Sequence, residues 1–449
     1  MSTTKRMVIL GGGESGVGAA ILAKDRGYDV FLSDCGTIAP RYIETLQREG
    51  IAYEQGHHTA ELILNADEVV KSPGIPLTAP MVAQLAAQGT PIISEIEFAG
   101  RYTDAKMVCI TGSNGKTTTT TLIHHILVRA GIDASVAGNI GKSLALQVAR
   151  EPHKVYVIEL SSFQLDNMYK FRANIAVLLN ITPDHLDRYD YKMQNYVNAK
   201  FRILQNMTPC DAFIYWQDDP VVSAQLARLR VDAQIYPLAE HREENTAAYI
   251  DAEDNIIINT RGTSMTMPRA DLALHGLHNV YNSLAAGLSA CLLNVGSDAI
   301  RSALADFRGV EHRLEPVATI DGVEWINDSK ATNVDSCWYA LESMTRPTVL
   351  ILGGKDKGND YSEILPLVKA KVKAIVAMGK DNAKIVDFFT AAGISVTDTH
   401  AIGDAIAACR ALAGEGDTVL LSPCCASFDL FSSYEDRGRQ FKALVNALK

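Results

Sequence analysis

Met107-Val-Cys-Ile-Thr-Gly-Ser-Asn-Gly-Lys-Thr117 decides the fold. Its apolar opening, Met107–Ile110, predicts a buried strand, and the residues after Thr117 predict a helix. Between the two lie Gly112 and Gly115, which let the backbone wrap closely around a phosphate. The helix N-terminus adds free N–H groups and positive potential. Lys116 suits the β- and γ-phosphates of a nucleotide, and the Thr117 hydroxyl suits Mg²⁺. Ser113, Asn114 and Thr118 complete the loop. Ile110 stands where the full P-loop signature has its first glycine, so the loop is a variant of that motif.

Working outward, short β-branched runs alternate with amphipathic stretches, the pattern of parallel sheets with crossover helices. At roughly 150 residues per domain, the 449 residues predict about three domains. Residues 1–94 read as a Rossmann-like α/β domain. Met7–Leu10 leads into Gly11, Gly13 and Gly16, and a second strand over Asp29–Leu32 ends near Asp34. Further strands fit Glu68–Lys71 and Pro91–Ile93. Residues 95–310 read as a central P-loop-type mononucleotide-binding ATPase domain. Its strands are expected at Met107–Ile110, Val155–Leu160 and Ile175–Asn180, with an antiparallel excursion over Ala247–Met267 and a helix from about Asn279. Residues 311–449 read as a Rossmann-like C-terminal α/β domain with strands at Thr348–Leu352, Ala374–Met378 and Thr418–Ser422. Loops past the C-terminal ends of such strands are where α/β sheets bind ligands.

Composition narrows the class. Hydrophobic residues at 47% and charged residues at 21% place the chain among soluble globular proteins. A net charge of −10 argues against a general nucleic-acid binder. The eight cysteines are scattered without a CxxC pair, which predicts reduced core thiols, the adjacent Cys424 and Cys425 included. No signal-peptide pattern and no run of ~20 apolar residues is present, so a cytoplasmic protein is expected.

Several residues at predicted strand ends carry chemistry. Glu159 beside the phosphate loop suits Mg²⁺. Thr182-Pro-Asp-His-Leu-Asp-Arg188 brings His185, a possible metal ligand, and Asn198-Ala-Lys-Phe-Arg202 brings Lys200. Gly11-x-Gly13-x-x-Gly16 with Asp34 matches a dinucleotide fingerprint, so a nicotinamide-dependent oxidoreductase is an alternative from another class. The same unit can hold a nucleotide sugar, with Asp34 accepting from ribose or base and Ser72-Pro73-Gly74 as the facing loop. The C-terminal part offers His312-Arg313, Asn327-Asp328-Ser-Lys330-Ala-Thr332-Asn333, Gly353-Gly354-Lys355-Asp356-Lys357-Gly358 and Ser422-Pro423 with Ala426-Ser427-Phe428.

Taken in order, these motifs resemble the Mur ligases of peptidoglycan synthesis, and the resemblance spans nearly the whole chain. Folylpolyglutamate synthases share the core motifs, and other Mur ligases are the nearer alternative. The resemblance implies an ATP-dependent ligase, monomeric, without nucleic-acid or membrane partners. Glu159-Leu-Ser-Ser-Phe-Gln-Leu165, Ser422-Pro-Cys-Cys-Ala-Ser-Phe-Asp429 and the glycine-rich start imply UDP-N-acetylmuramoyl-L-alanine and D-glutamate as substrates. It implies roles by position. Gly112–Thr118, Asn282, Arg313, Asp328 and Lys330 would bind ATP. Thr117, Glu159, His185 and Lys200, the last carbamylated, would hold two Mg²⁺. Lys116, Glu159, His185 and Lys200 would be catalytic. Glu14, Ser15, Asp34, Cys35, Ser72, Pro73, Gly74, Asn139 and His185 would bind the UDP-sugar. Thr332, Lys357, Ser427, Phe428 and Tyr434 would hold D-glutamate.

Overall fold

The computed structural model describes residues 4–260, 262–356 and 358–448. They form three sheets. The first comprises β1 (Arg6–Leu10), β2 (Asp29–Asp34), β3 (Ala52–Gln55), β4 (Glu68–Lys71) and β5 (Ile92–Ile93). All pairs are parallel, in the order β3-β2-β1-β4-β5. Chain direction of travel reverses between β1 and β4, so a crevice opens past their C-terminal ends. Gly11–Gly13 and Ser72–Gly74 are its lips.

The second sheet comprises β6 (Lys106–Thr111), β7 (Ala134–Gly138), β8 (Val155–Glu159), β9 (Ile175–Leu178), β10 (Ala212–Trp216), β11 (Gln234–Leu238), β12 (Ala248–Ile250), β13 (Asn255–Asn259) and β14 (Ser264–Pro268). The order is β14-β13-β12-β11-β10-β9-β6-β8-β7. The expected antiparallel excursion is present as β12–β14. Strand β6 lies between β8 and β9, which delivers the phosphate loop, Glu159 and Asn180 to one sheet edge.

The third sheet comprises β15 (Glu315–Ile320), β16 (Val323–Asn327), β17 (Thr348–Gly353), β18 (Val372–Met378), β19 (Val396–Thr399) and β20 (Thr418–Cys424), ordered β15-β16-β20-β17-β18-β19. The expected end of the last strand at Ser422 is corrected. Gly353 pairs with Cys424 across a register shift, so Ser422 and Pro423 lie within β20. A β15–β16 hairpin, turning at Asp321 (φ 51°) and Gly322 (φ 75°), was not read from the sequence.

The chain condenses into two compact units, Met1–Leu272 with Tyr281–Asp306, and Ala273–Val280 with Phe307–Lys449. In the first, one apolar cluster runs from Met7 and Leu22 to Tyr156 and Phe213, so the first two sheets share a core. In the second, apolar clusters cover both faces of the third sheet. Among the described residues, no helix is long and apolar enough to cross a membrane.

Two contacts seal the shared core. The helix Glu14–Asp25 lies so close to the helix Leu144–Arg150 that a Cβ on Gly18 would come within 2.0 Å of Ser143 Oγ. Beside it, buried Glu95 accepts from Ser143 Oγ (2.8 Å) and Ala145 N (2.6 Å), while its Oε2 has no hydrogen-bond partner. Burial pushes the Glu95 pKa up from 4.5 to about 7. A carboxyl whose pKa is raised on folding penalises the native state as pH rises from the unfolded value to the folded one. Stability should therefore fall between about pH 4.5 and 7 by a contribution of at most a few kcal/mol and then level off. Chemical denaturation of Glu95→Gln across this range should show a flatter profile than the wild type. An unchanged slope would remove Glu95 as its source.

Candidate active site

The phosphate loop leaves β6 with Gly112 at φ 150° and Gly115 at φ 82°, both outside the range favoured by residues with a Cβ. A side chain at Gly115 would also strike Asn282 Oδ1 at 2.4 Å. Asn282 lies beneath the loop, accepting from Thr119 Oγ1 at 3.1 Å. The segment after β9 braces the opposite flank. Ser113 N donates to Asn180 O (2.9 Å), and Asn114 N donates to Asn180 Oδ1 (2.8 Å). Ser113 Oγ donates to Thr182 O at 2.9 Å. Asn180, to which the sequence assigns no role, thus braces the loop from the side.

Five predicted residues, Lys116, Thr117, Asn139, Glu159 and Lys200, converge here. Thr117 Oγ1 donates to Glu159 Oε2 at 2.6 Å, and Asn139 Nδ2 donates to Glu159 Oε1 at 2.8 Å. Glu159 is 1% exposed. Hydroxyl and carboxylate oxygens brought together in this way are the hard donors that suit Mg²⁺. Lys116 curls back over the loop, its Nζ on Gly112 O (2.8 Å) and Ser113 O (2.7 Å). Lys200, in the helix Met193–Phe201, is buried, and its Nζ also donates to Gly112 O at 2.7 Å. It lies 4.6 Å from the centre of the Tyr196 ring. Burial and then the neighbouring Lys116 charge lower its pKa well below the usual lysine value. His185 adopts a left-handed backbone (φ 52°), with Nε2 3.6 Å from Asp184 and its ring 5.2 Å from Phe163.

The crevice of the first sheet holds the other predicted group. Asp34 accepts from Gly12 N (2.6 Å) and Gly36 N (2.7 Å), so it shapes the glycine loop. Gly11 packs on Ser72, where an added Cβ would sit 2.7 Å from Ser72 Cβ. Glu14 accepts from Tyr42 OH at 3.0 Å, Ser15 is half-buried in the same helix start, and Cys35 is exposed. Pro73 and Gly74 follow Ser72 on the facing loop.

The second unit gathers the remaining residues. Asp328 is buried, accepts from Ser422 Oγ (2.8 Å) and Leu314 N (3.2 Å), and has its pKa pushed up to about 6 by burial. The Arg313 Nε is buried without a hydrogen-bond partner. The Lys330 ammonium lies 5.4 Å from the Tyr434 ring centre, and Thr332 is half-buried nearby in sequence. Ser427 is buried and Phe428 exposed. Lys357 lies outside the described residues. Buried Arg437, which no sequence motif marks, donates to Ser329 O (2.8 Å) and Cys425 O (3.2 Å), tying together the segments that follow β16 and β20. Cys424 and Cys425 are buried with their thiol pKa values raised, which makes them poor nucleophiles. Cys35 and Cys210 depart from the core-thiol expectation, since both are exposed.

Comparison with known proteins adds three family-model matches. Residues 5–94 match a Mur ligase MurD-like N-terminal domain, 110–290 a Mur ligase middle domain, and 312–425 a Mur ligase glutamate ligase domain. The UDP-N-acetylmuramoylalanine–D-glutamate ligase of Bacteroides thetaiotaomicron is 62% identical, over 99% of this chain and 100% of that one. That of Porphyromonas gingivalis is 54% identical, over 98% of each. Among solved structures, the UDP-N-acetylmuramate–alanine ligase MurC of Thermotoga maritima aligns over 99% of this chain and 100% of that one, with a TM-score of 0.64 at 18% identity.

Proposed function

The chain belongs to the Mur ligase family, and on that premise we propose that it joins D-glutamate to UDP-N-acetylmuramoyl-L-alanine, converting ATP to ADP and phosphate. The observation that carries this reading is the 62% identity, end to end, with a ligase of that name. Amide formation from a free carboxylate is uphill, so the γ-phosphoryl of ATP first passes to the terminal alanine carboxylate. The D-glutamate amine then attacks the acyl phosphate, and phosphate leaves.

Phosphoryl transfer asks for in-line placement and charge neutralisation. The loop amides and Lys116 supply both once Lys116 exchanges Gly112 O and Ser113 O for phosphate oxygens. Thr117 and Glu159 are assigned to one Mg²⁺, and His185 with a carbamylated Lys200 to a second. Bound there, Mg²⁺ would withdraw charge from the transferring phosphoryl group. Asn139 holds Glu159 in place and is assigned to the UDP-sugar. Glu14, Ser15, Asp34, Cys35, Ser72–Gly74 and His185 take the nucleotide sugar. Asn282, Arg313, Asp328 and Lys330 take the rest of ATP, and Thr332, Lys357, Ser427, Phe428 and Tyr434 take D-glutamate. The same reading makes the protein a cytoplasmic monomer.

Phosphate release from ATP tests the proposal. It should require both UDP-N-acetylmuramoyl-L-alanine and D-glutamate. Equal turnover with L-lysine, diaminopimelate, or a folate with L-glutamate would overturn it. Micromolar NAD binding, lost in Asp34→Ala, would revive the oxidoreductase reading.

A further inference from the structure

Lys71 closes β4 and is 2% exposed. Its Nζ donates to Ser72 O (3.1 Å) and Ile75 O (2.8 Å), both neutral carbonyls. Among the described residues no carboxylate is within ion-pair distance of it. Asp166, a carboxylate whose charge reaches it, already accepts from Tyr189 OH at 2.9 Å. Arg188 approaches from the Thr182–Arg188 segment, its Nη1 3.4 Å from Gly74 O and its guanidinium 4.4 Å from the Phe163 ring centre. Burial and the Arg188 charge lower the Lys71 pKa to about 8, the mark of a cation short of counter-charge.

One four-residue turn thus has three of its carbonyls, those of Ser72, Gly74 and Ile75, held by two cations, Lys71 from β4 and Arg188 from the short helix Leu186–Tyr189. Neutral donors would hold a turn equally well, without the cost of burying an ammonium. The turn is also a lip of the β1–β4 crevice, packed on Gly11, and such a crevice is where α/β sheets seat phosphates. Positive charge in excess of its local partners, set behind that lip, fits an anionic ligand arriving in front.

We propose that Lys71 and Arg188 are positioning residues for the diphosphate of the UDP-sugar, holding the Ser72–Ile75 turn in shape and supplying its positive potential. The inference rests on the UDP-sugar reading above. It differs from a purely structural role in one respect: it distinguishes charged from uncharged ligands.

The test is competition binding of UDP and uridine to the full chain, with KM values for each substrate. Lys71→Met should weaken UDP about tenfold and raise KM for the UDP-sugar similarly, with uridine, ATP and D-glutamate within twofold. Lys71→Arg should restore most of the loss. Arg188→Ala should act in the same direction, which keeps the test open if Lys71→Met does not fold. Equal weakening of UDP and uridine would reduce the pair to a turn brace and overturn the proposal. Unchanged UDP binding in both variants would do the same. A wild type that binds no UDP would instead overturn the substrate reading itself.

Discussion

Lys200→Ala should lose about a thousandfold in turnover, the upper end of the range for removing one preorganised electrostatic group, while the chain stays folded. The helix Met193–Phe201 accepts alanine readily. Lys200 sits with its Nζ on Gly112 O, next to Lys116, and neither contact calls for a second ammonium. A cation there would oppose Mg²⁺ by a few kcal/mol per unit charge at an effective dielectric of ~20. Reaction of the neutral amine with carbon dioxide gives a carbamate and releases one proton. The product replaces that cation with oxygen donors suited to Mg²⁺. Two further results are expected. Acetate should restore part of the Lys200→Ala rate by entering the gap, and Lys200→Arg should be no better than alanine. Near-full turnover in Lys200→Arg would show that only a cation is needed, and the carbamate hypothesis would fail.

The second large effect is expected at Glu159. Glu159→Gln keeps the shape and one acceptor oxygen, but it removes the charge and puts an amide donor where the second oxygen accepts from Thr117 or Asn139. Turnover should fall by about a hundredfold to a thousandfold, the range for loss of one preorganised electrostatic group. The Mg²⁺ concentration for half-maximal rate should rise as well. Thermal unfolding should move little, because the cost of burying the charge goes together with one of its two contacts. Activity within fivefold of wild type at ordinary Mg²⁺ would exclude Glu159 as a metal ligand.

The phosphate loop, Glu159 and the excursion over β12–β14 were legible because their signals are local. A strand, two glycines and Lys-Thr occupy eleven consecutive residues, and Asp-Asn turns mark the excursion. What escaped depends on distant partners or on backbone atoms. Arg437 acts through Ser329 O, 108 positions away, and Lys71 acts through backbone carbonyls that carry no sequence signature. Asn180 was visible in a motif, yet its bond to Asn114 N spans 66 positions. Strand β15 is half-exposed along its length, so it lacks the apolar run that marked β17 and β18. Only its Asp321-Gly322 turn could have announced it. Asp34 was read for ligand chemistry, and its two backbone bonds show that it also sets the geometry of its own loop.

The close approach at Gly18 bears on protein engineering. Exchanging residues 1–94 with those of a relative looks like a simple cassette swap, because the sheet β1–β5 lies wholly within them. Yet Gly18 and Ser143 were shaped against each other, and Glu95 reaches the same spot from just beyond the cut. A donor carrying anything larger than glycine at the matching site would collide with the recipient helix Leu144–Arg150. A viable chimera would have to import the segment around Ser143 together with the N-terminal cassette, so the smallest transplantable piece is discontinuous in sequence.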